Sequence, residues 1–260
     1  MPRVHKDKIV QLSRSKEMAE VFTPSWICNT QNNLVDNSWF GTEGVFNKEI
    51  VLKNGSKSWE TTKEKIVFPK GKTWQDYVRD TRLEITCGEA PYLVSRYDTT
   101  TGAFIAIENR IGLLDRKLRV VNENLDSKNE WLKAVETAYK STYGFEWQGD
   151  SLLLAREALL ITFIENFTYK FETEPTLETI QNIVRIISWN IWQMDGLKGV
   201  IPNSCKDEFI EISDFFETKT EIKKCKGCAT QNIKFHNGIY CTIMDWDIEK
   251  PIKFISLLEK

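Results

Sequence analysis

The sequence lacks the features that mark several large classes of protein. It has two histidines in 260 residues, which disfavours Ser–His and Cys–His hydrolase sites. No apolar run reaches the roughly 18 residues that a membrane span needs. No apolar segment follows the first charges as in a signal peptide. We therefore expect a cytoplasmic protein whose six cysteines are thiols, metal ligands or core residues rather than disulfides.

The chain also lacks an excess of charge of either sign. Its net charge is −2, whereas proteins that bind nucleic acid usually carry a basic surplus. Overall charge therefore does not favour DNA as a partner, although a local basic face would suffice for binding. Hydrophobic residues make up 41% and charged residues 28% of the chain, which is typical of a soluble globular protein.

Hydrophobic periodicity predicts strands that alternate with helices between Trp74 and Gly199, as in an α/β domain. Leu83–Thr86 is predicted as a short strand, and a second strand is expected at Phe104–Ile107 or Arg110–Leu114. The predicted helices are Asn129–Thr142, which is expected to stop at Gly144, Ser151–Phe167 and Leu177–Trp192. We divide the chain into an N-terminal helix and insertion (1–73), a Rossmann-like domain (74–199) and a small Cys-containing subdomain (200–260).

Two short segments have the form of a ligand-binding turn and its neighbour. In Leu83–Leu93 a strand runs into a tight turn that contains Cys87 and Gly88, where a backbone can approach a nucleotide-like cofactor. An ordinary strand and turn would look the same. Thr23-Pro24 precedes an apolar run and predicts a helix start, with Thr23 as the N-cap.

Together these segments resemble the gamma-class DNA adenine methyltransferases of restriction–modification systems. Phe22-Thr23-Pro24 resembles the Phe/Tyr-Thr-Pro motif that lies upstream of that family's cofactor loop. Leu83–Leu93 is similar to the loop Asp-Pro-x-Cys-Gly-x-Gly-x-Phe-Leu, with Glu84 in the place of Asp and Ala90 in the place of the second Gly. Ile111–Asp115 and Gly149–Leu152 are similar to the second and third motifs, and the order along the chain is the same.

The resemblance implies a Rossmann-like sheet that binds S-adenosylmethionine and takes part in adenine methylation of DNA. Asp115 would hold the ribose, and Asp150 would lie near the adenine ring. The implied cofactor-binding residues are Phe22, Thr23, Pro24, Glu84, Cys87, Gly88, Ala90, Asp115 and Asp150.

The chain departs from this family where catalysis is concerned. The family transfers the methyl group with an Asn/Asp/Ser-Pro-Pro-aromatic loop, and this sequence contains no Pro-Pro pair. A degenerate loop would use Ser188, Asn190 and Trp192. We expect instead that a second polypeptide, or a part beyond Lys260 in longer relatives, carries the catalytic loop and the target-recognition domain.

A third motif, Cys225-Lys226-Gly227-Cys228, has the spacing with which two thiolates reach one tetrahedral metal ion. Cys241 with either His236 or Cys205 would complete a structural zinc site. Free thiols in a hairpin are the alternative interpretation.

Two functions of other classes stay open. One is a restriction–modification subunit that binds cofactor or DNA without catalysis and is stabilised by zinc. The other is a restriction nuclease subunit, whose magnesium site would use Glu84, or Asp245 with Glu249 and Lys250.

Overall fold

A computed structural model of the chain describes residues 22–213 and 218–259. The described helices are α1 (Ser25–Phe40), α2 (Trp74–Arg79), α3 (Leu113–Asn124), α4 (Lys128–Lys140), α5 (Gly149–Phe171), α6 (Leu177–Asn190) and α7 (Lys226–Thr230). The described strands are β1 (Asn47–Val51), β2 (Lys57–Thr61), β3 (Arg82–Ile85), β4 (Thr142–Glu146), β5 (Ile191–Gln193), β6 (Glu208–Ser213), β7 (Thr218–Lys223), β8 (Thr242–Asp245) and β9 (Lys250–Lys253).

A parallel three-stranded sheet in the order β3-β4-β5 confirms the α/β prediction. Helices connect its strands, because parallel neighbours need long crossover connections. The other pairs, β1-β2, β6-β7 and β8-β9, are antiparallel hairpins. None of the helices in the described part of the chain has the length and apolar character that crossing a bilayer requires.

The main core lies between the sheet and the helices that cover one of its faces. Trp131, Val135 and Tyr139 of α4 are buried with Phe163 and Phe167 of α5. Their spacing of three to four residues places them on one helical face, as the sequence predicts. A smaller cluster on the other face of the sheet joins Phe145 and Trp192 to the β8-β9 hairpin through Ile243 and the half-buried Ile252 and Phe254.

The predicted second strand was wrong. Arg110–Leu114 runs into α3, and Phe104 makes an isolated bridge to Tyr97. The second strand of the sheet is β4, within the segment where Gly144 was expected to end a helix. A Cβ atom at Gly144 would lie 3.2 Å from Sγ of Cys87, so glycine lets this strand pass close beneath the loop after β3.

Candidate functional site

A cleft of 1060 Å³ opens at the carboxyl ends of β3 and β4. This edge is where parallel α/β sheets bind their ligands, and the volume matches the upper range of small-molecule sites. Side chains from α1, from β3 and its loop, and from the β4–α5 turn form the walls. They include Phe22, Thr23, Asn32, Val35, Leu83, Glu84, Cys87, Gly88, Tyr92, Glu146, Trp147 and Ser151.

The fold brings five of the predicted cofactor-binding residues to this cleft. Phe22 and Thr23 line it from the segment before α1, and Glu84, Cys87 and Gly88 line it from β3 and the following turn. Sixty residues separate the two segments in the sequence. The cleft therefore joins the two motifs on which the resemblance depends.

The other four predicted residues do not line the cleft, and three of them have structural contacts instead. Asp115 is buried, and its Oδ2 accepts hydrogen bonds from Ser95 and from the amide of Gly112, which caps α3. Asp150 is exposed in the first turn of α5, where it accepts a hydrogen bond from the Ser151 amide. Pro24 immediately precedes α1. The assignment of Asp115 to a ribose is corrected by this capping role.

The turn after β3 has an unusual backbone. Thr86, Gly88 and Ala90 have φ values of 53°, 55° and 62°, in the left-handed region that favours glycine. Ala90, which stands where the resemblance expects glycine, is fully buried in this conformation. A Cβ atom at Gly88 would meet nothing within 4 Å, so this residue leaves its backbone open to the cleft.

Polar contacts fix the α1 wall of the cleft to the loop that follows β3. The Asp98 carboxylate accepts a hydrogen bond of 2.7 Å from the Ser25 amide and thereby caps α1. The predicted N-cap, Thr23, instead accepts a hydrogen bond from Thr99 through its carbonyl. Although burial opposes it, hydrogen bonds from Thr100 and Ser25 lower the pKa of Asp98 to about 2. Asn32 adds a hydrogen bond of 2.9 Å to the carbonyl of Tyr92.

Two buried carboxyl groups, Glu84 and Glu146, lie at the ends of the two neighbouring strands. Glu146 accepts hydrogen bonds from the amides of Gly88 (2.8 Å) and Gln148 (3.0 Å). Burial raises the pKa of Glu84 well above its usual range. Amides of Tyr92 and Leu93 oppose that shift, and the charge of Glu146 adds to it. The cleft thus combines two carboxyl groups with the aromatic side chains of Tyr92 and Trp147.

Cys87 is not suited to nucleophilic catalysis. Its side chain is buried, and burial together with the charges of Glu84 and Glu146 raises the pKa of the thiol well above its usual range. Because the thiolate is the reactive form, Cys87 contributes packing to the cleft rather than covalent chemistry.

The three candidate catalytic residues do not line the cleft. Ser188 is exposed on α6, with its hydroxyl donating to the carbonyl of Arg185. Asn190 is buried, and its amide group donates to three backbone carbonyls and accepts from Trp246. Trp192 packs in the smaller cluster on the outer face of the sheet. Their contacts explain why they are structural residues.

A second candidate site lies in the C-terminal region. The ligand atoms of Cys205, Cys225, Cys228 and His236 all lie within 4.8 Å of one another. Nδ1 of His236 is 3.4, 3.8 and 3.7 Å from the three sulfur atoms, in that order. Tetrahedral zinc with bonds of about 2.3 Å to sulfur and about 2.1 Å to nitrogen requires a separation of about 3.6 Å. This Cys₃His group can hold a metal ion.

Backbone geometry prepares the Cys₃His group for a metal. Gly227 lies between two of the ligands, and a Cβ atom there would come within 2.6 Å of the His236 ring. The amide of Asn237 donates to Sγ of Cys225 at 3.3 Å. Although burial opposes it, this and neighbouring hydrogen bonds lower the pKa of Cys225 to about 6, which favours the thiolate that a metal requires.

Cys241 does not belong to this group, contrary to the prediction that it supplies a ligand. It follows the bridge between Val200 and Tyr240, and its thiol donates to the carbonyl of Gln193 at 3.2 Å. Cys205 and His236, which the sequence offered as alternatives, are both in the group. Within residues 22–213 and 218–259, the acids considered for a nuclease site form no comparable cluster.

Sequence reasoning missed Glu146. The residue ends the true second strand, the position from which an acid commonly reaches the ribose of a bound nucleotide. Assigning that strand to Arg110–Leu114 directed attention to Asp115 instead. A strand signal was present in the apolar and aromatic residues of Tyr143-Gly144-Phe145, but the glycine interrupted it.

Comparison with known proteins adds no relative to these observations. No family model matches the chain, and no curated protein or solved structure matches it either. The features that point to a function are therefore the geometry and chemistry of the cleft and of the Cys₃His group.

Proposed function

We propose that the chain binds S-adenosylmethionine in the cleft and is the cofactor-binding part of a DNA adenine methyltransferase in a restriction–modification system. The observation that carries this proposal is the meeting of Phe22-Thr23 with the Glu84–Gly88 turn at the carboxyl edge of a parallel sheet. The resemblance pairs the same two segments, and a Rossmann-like methyltransferase sheet would place a nucleoside cofactor at this edge.

The residues of the cleft fit such a cofactor. Glu146, at the end of β4, has a carboxylate suited to ribose hydroxyls, while Phe22, Tyr92 and Trp147 offer aromatic surface for a purine. Gly88 lets the ligand approach the backbone. When bound, S-adenosylmethionine would supply the methyl group, and this chain would hold and orient it.

We assign the catalytic loop and target recognition to a second polypeptide. Ser188, Asn190 and Trp192 point to no catalytic role here because their contacts are structural. The chain alone is then expected to bind cofactor without methylating DNA. Formation of N6-methyladenine by the purified chain would contradict this division of labour while leaving cofactor binding intact.

Calorimetric titration with S-adenosylmethionine and S-adenosylhomocysteine tests the proposal. We expect micromolar binding that Gly88→Asp abolishes, because the new carboxylate would occupy the open space beside the turn. Gly41→Asp, at another left-handed glycine with no neighbours within 4 Å, is the matched control. Absence of binding by the folded wild-type chain would refute the methyltransferase function.

For the Cys₃His group we propose structural zinc. Three sulfur atoms and one imidazole at the spacing described above match the closed coordination of structural zinc sites. These four ligands leave no open position for a water molecule or a substrate. Elemental analysis of the purified chain should find one zinc per molecule, lost in Cys228→Ser. A chain that is folded in this region without zinc would contradict the assignment.

The zinc group favours one second candidate, a subunit that binds DNA or cofactor without any catalysis. That function predicts stoichiometric zinc together with no methyl transfer even when a partner subunit is supplied. Restored methylation on adding a partner separates the two functions.

A further inference from the structure

The carboxyl group of Glu84 faces the cleft, and the described residues satisfy its hydrogen-bonding capacity only in part. Its side chain lines the cleft although the residue is only 8% exposed. The amides of Tyr92 and Leu93 hydrogen-bond to this carboxyl group, yet its Oε2 has no hydrogen-bond partner among the described residues. A buried polar atom without a partner costs about 1–3 kcal/mol, and such atoms are rare in native proteins unless water, an ion or a ligand supplies the partner.

The charges around Glu84 do not neutralise it. The ionisable groups that act on it are Cys28 of α1, Cys87 and Tyr92 of the loop after β3, and Glu146 of β4. All of these are neutral or negative, and no Lys or Arg is among the causes that shift its pKa. Isolated buried carboxylates are strongly disfavoured, so the ligand-free protein favours the protonated form of Glu84.

We propose that Glu84 recognises a positively charged group of the bound ligand, and that this group displaces a proton from Glu84 to solvent on binding. The proposal rests on the proposed function, because the α-ammonium and the sulfonium of S-adenosylmethionine are such groups. Glu146 contributes the second negative charge at the same end of the cleft. A cation beside Oε2 supplies the missing partner and stabilises the carboxylate.

This exchange has a defined effect on pH dependence. The pKa of Glu84 is raised in the free protein and falls when the cation binds, so the ligand prefers the deprotonated form. Affinity therefore increases with pH between the two pKa values, by at most about tenfold per pH unit for one proton. Below both pKa values, binding no longer releases a proton, and affinity is low but constant.

Calorimetry in two buffers of different ionisation enthalpy, phosphate and Tris, tests the proposal at the same pH. We expect the apparent enthalpy of S-adenosylmethionine binding to differ between the two buffers by about the difference between their ionisation enthalpies, because about one proton is released to the buffer. Glu84→Gln, which mimics the protonated side chain, should bind at least tenfold more weakly and show no dependence on the buffer. Glu178→Gln, an exposed acid on α6, should behave as the wild type.

The outcomes separate this inference from the proposed function. Binding with equal enthalpy in both buffers would overturn the role of Glu84 and leave the cofactor site intact. Absence of binding would overturn both. Carbon-13 NMR of labelled glutamate in the ligand-free chain gives an independent result, because one resonance, missing in Glu84→Gln, should titrate well above the others. If Glu84 titrates together with the exposed glutamates, the inference is wrong.

Discussion

The cleft and the Cys₃His group are held in place by different forces. Around the cleft, helices α1–α6 pack onto one continuous core, whose members include Tyr77, Trp131 and Phe163. Among the described side chains between residues 200 and 240, only Val200 and Cys225 are buried and apolar. So small a core cannot fix a loop-rich segment, and a two-stranded hairpin such as β6-β7 is only marginally stable alone. The comparison teaches that this region needs a source of stability other than a core, which the proposed zinc would supply.

The largest effect is expected from metal removal. Chelation should abolish hydrogen-exchange protection in residues 204–240 and leave α3–α6 protected, because binding of structural zinc supplies on the order of 10 kcal/mol of folding free energy. Exchange measured by mass spectrometry, with and without chelator, reads both regions at once. Uniform loss of protection along the chain would show that the two regions share one source of stability.

Substitution of single cysteines tests which side chains bind the proposed zinc. Cys205→Ser removes a predicted ligand and should eliminate stoichiometric zinc. Cys241→Ser, the same substitution at a cysteine outside the group, should retain one zinc per chain because Cys241 donates to Gln193 instead. Metal content by elemental analysis distinguishes the pair. Zinc loss in Cys241→Ser alone would mean that the ligand set is wrong.

Truncating a side chain of the main core should destabilise the region around the cleft rather than the Cys₃His group. Trp131 is fully buried and packs against Phe163, Phe167 and Phe171, so Trp131→Ala should lower the free energy of unfolding by about 3–5 kcal/mol. Denaturant titration measures this loss, while zinc content should stay at one per chain. Leu197→Ala, at a side chain that is 91% exposed, is the control. A Trp131→Ala variant as stable as the control would contradict the proposed packing.

The smallest change in stability is expected at the cleft itself. Gly88→Ala keeps a left-handed backbone with an added Cβ, which costs about 1–2 kcal/mol. Gly41→Ala has the same strain far from the cleft. Both variants should lose similar stability in thermal unfolding, but only Gly88→Ala should weaken cofactor binding. Equal affinities would place the ligand away from this turn.

The sequence predicted local features better than the contacts between them. Helical periodicity located α4, α5 and α6 to within a few residues, because one apolar face of each meets the core. The Cys-x-x-Cys spacing identified Cys225 and Cys228 for a similar reason, since both lie in one turn. Predictions that depend on a single local pattern were therefore the accurate ones.

The errors came from residues whose role is set by distant parts of the chain. Gly144 was taken as a helix end, but it lies within β4, where its lack of a side chain leaves room for Cys87 of the loop after β3. Asp115 looked like the acid of a second strand, but its carboxylate caps α3 at the Gly112 amide and also accepts a hydrogen bond from Ser95. Cys205 joins Cys225 because the β6-β7 hairpin between them returns the chain to its starting point. No local pattern carries this information.

The central claim is that the cleft after β3 and β4 is the site of S-adenosylmethionine. Hydrogen exchange measured with and without the cofactor tests it most directly, because the method reports where the ligand lies. The account predicts added protection in residues 83–92 and 146–151, with the Cys₃His region unchanged. Protection confined to other parts of the chain, or no protection at saturating cofactor, would contradict the account.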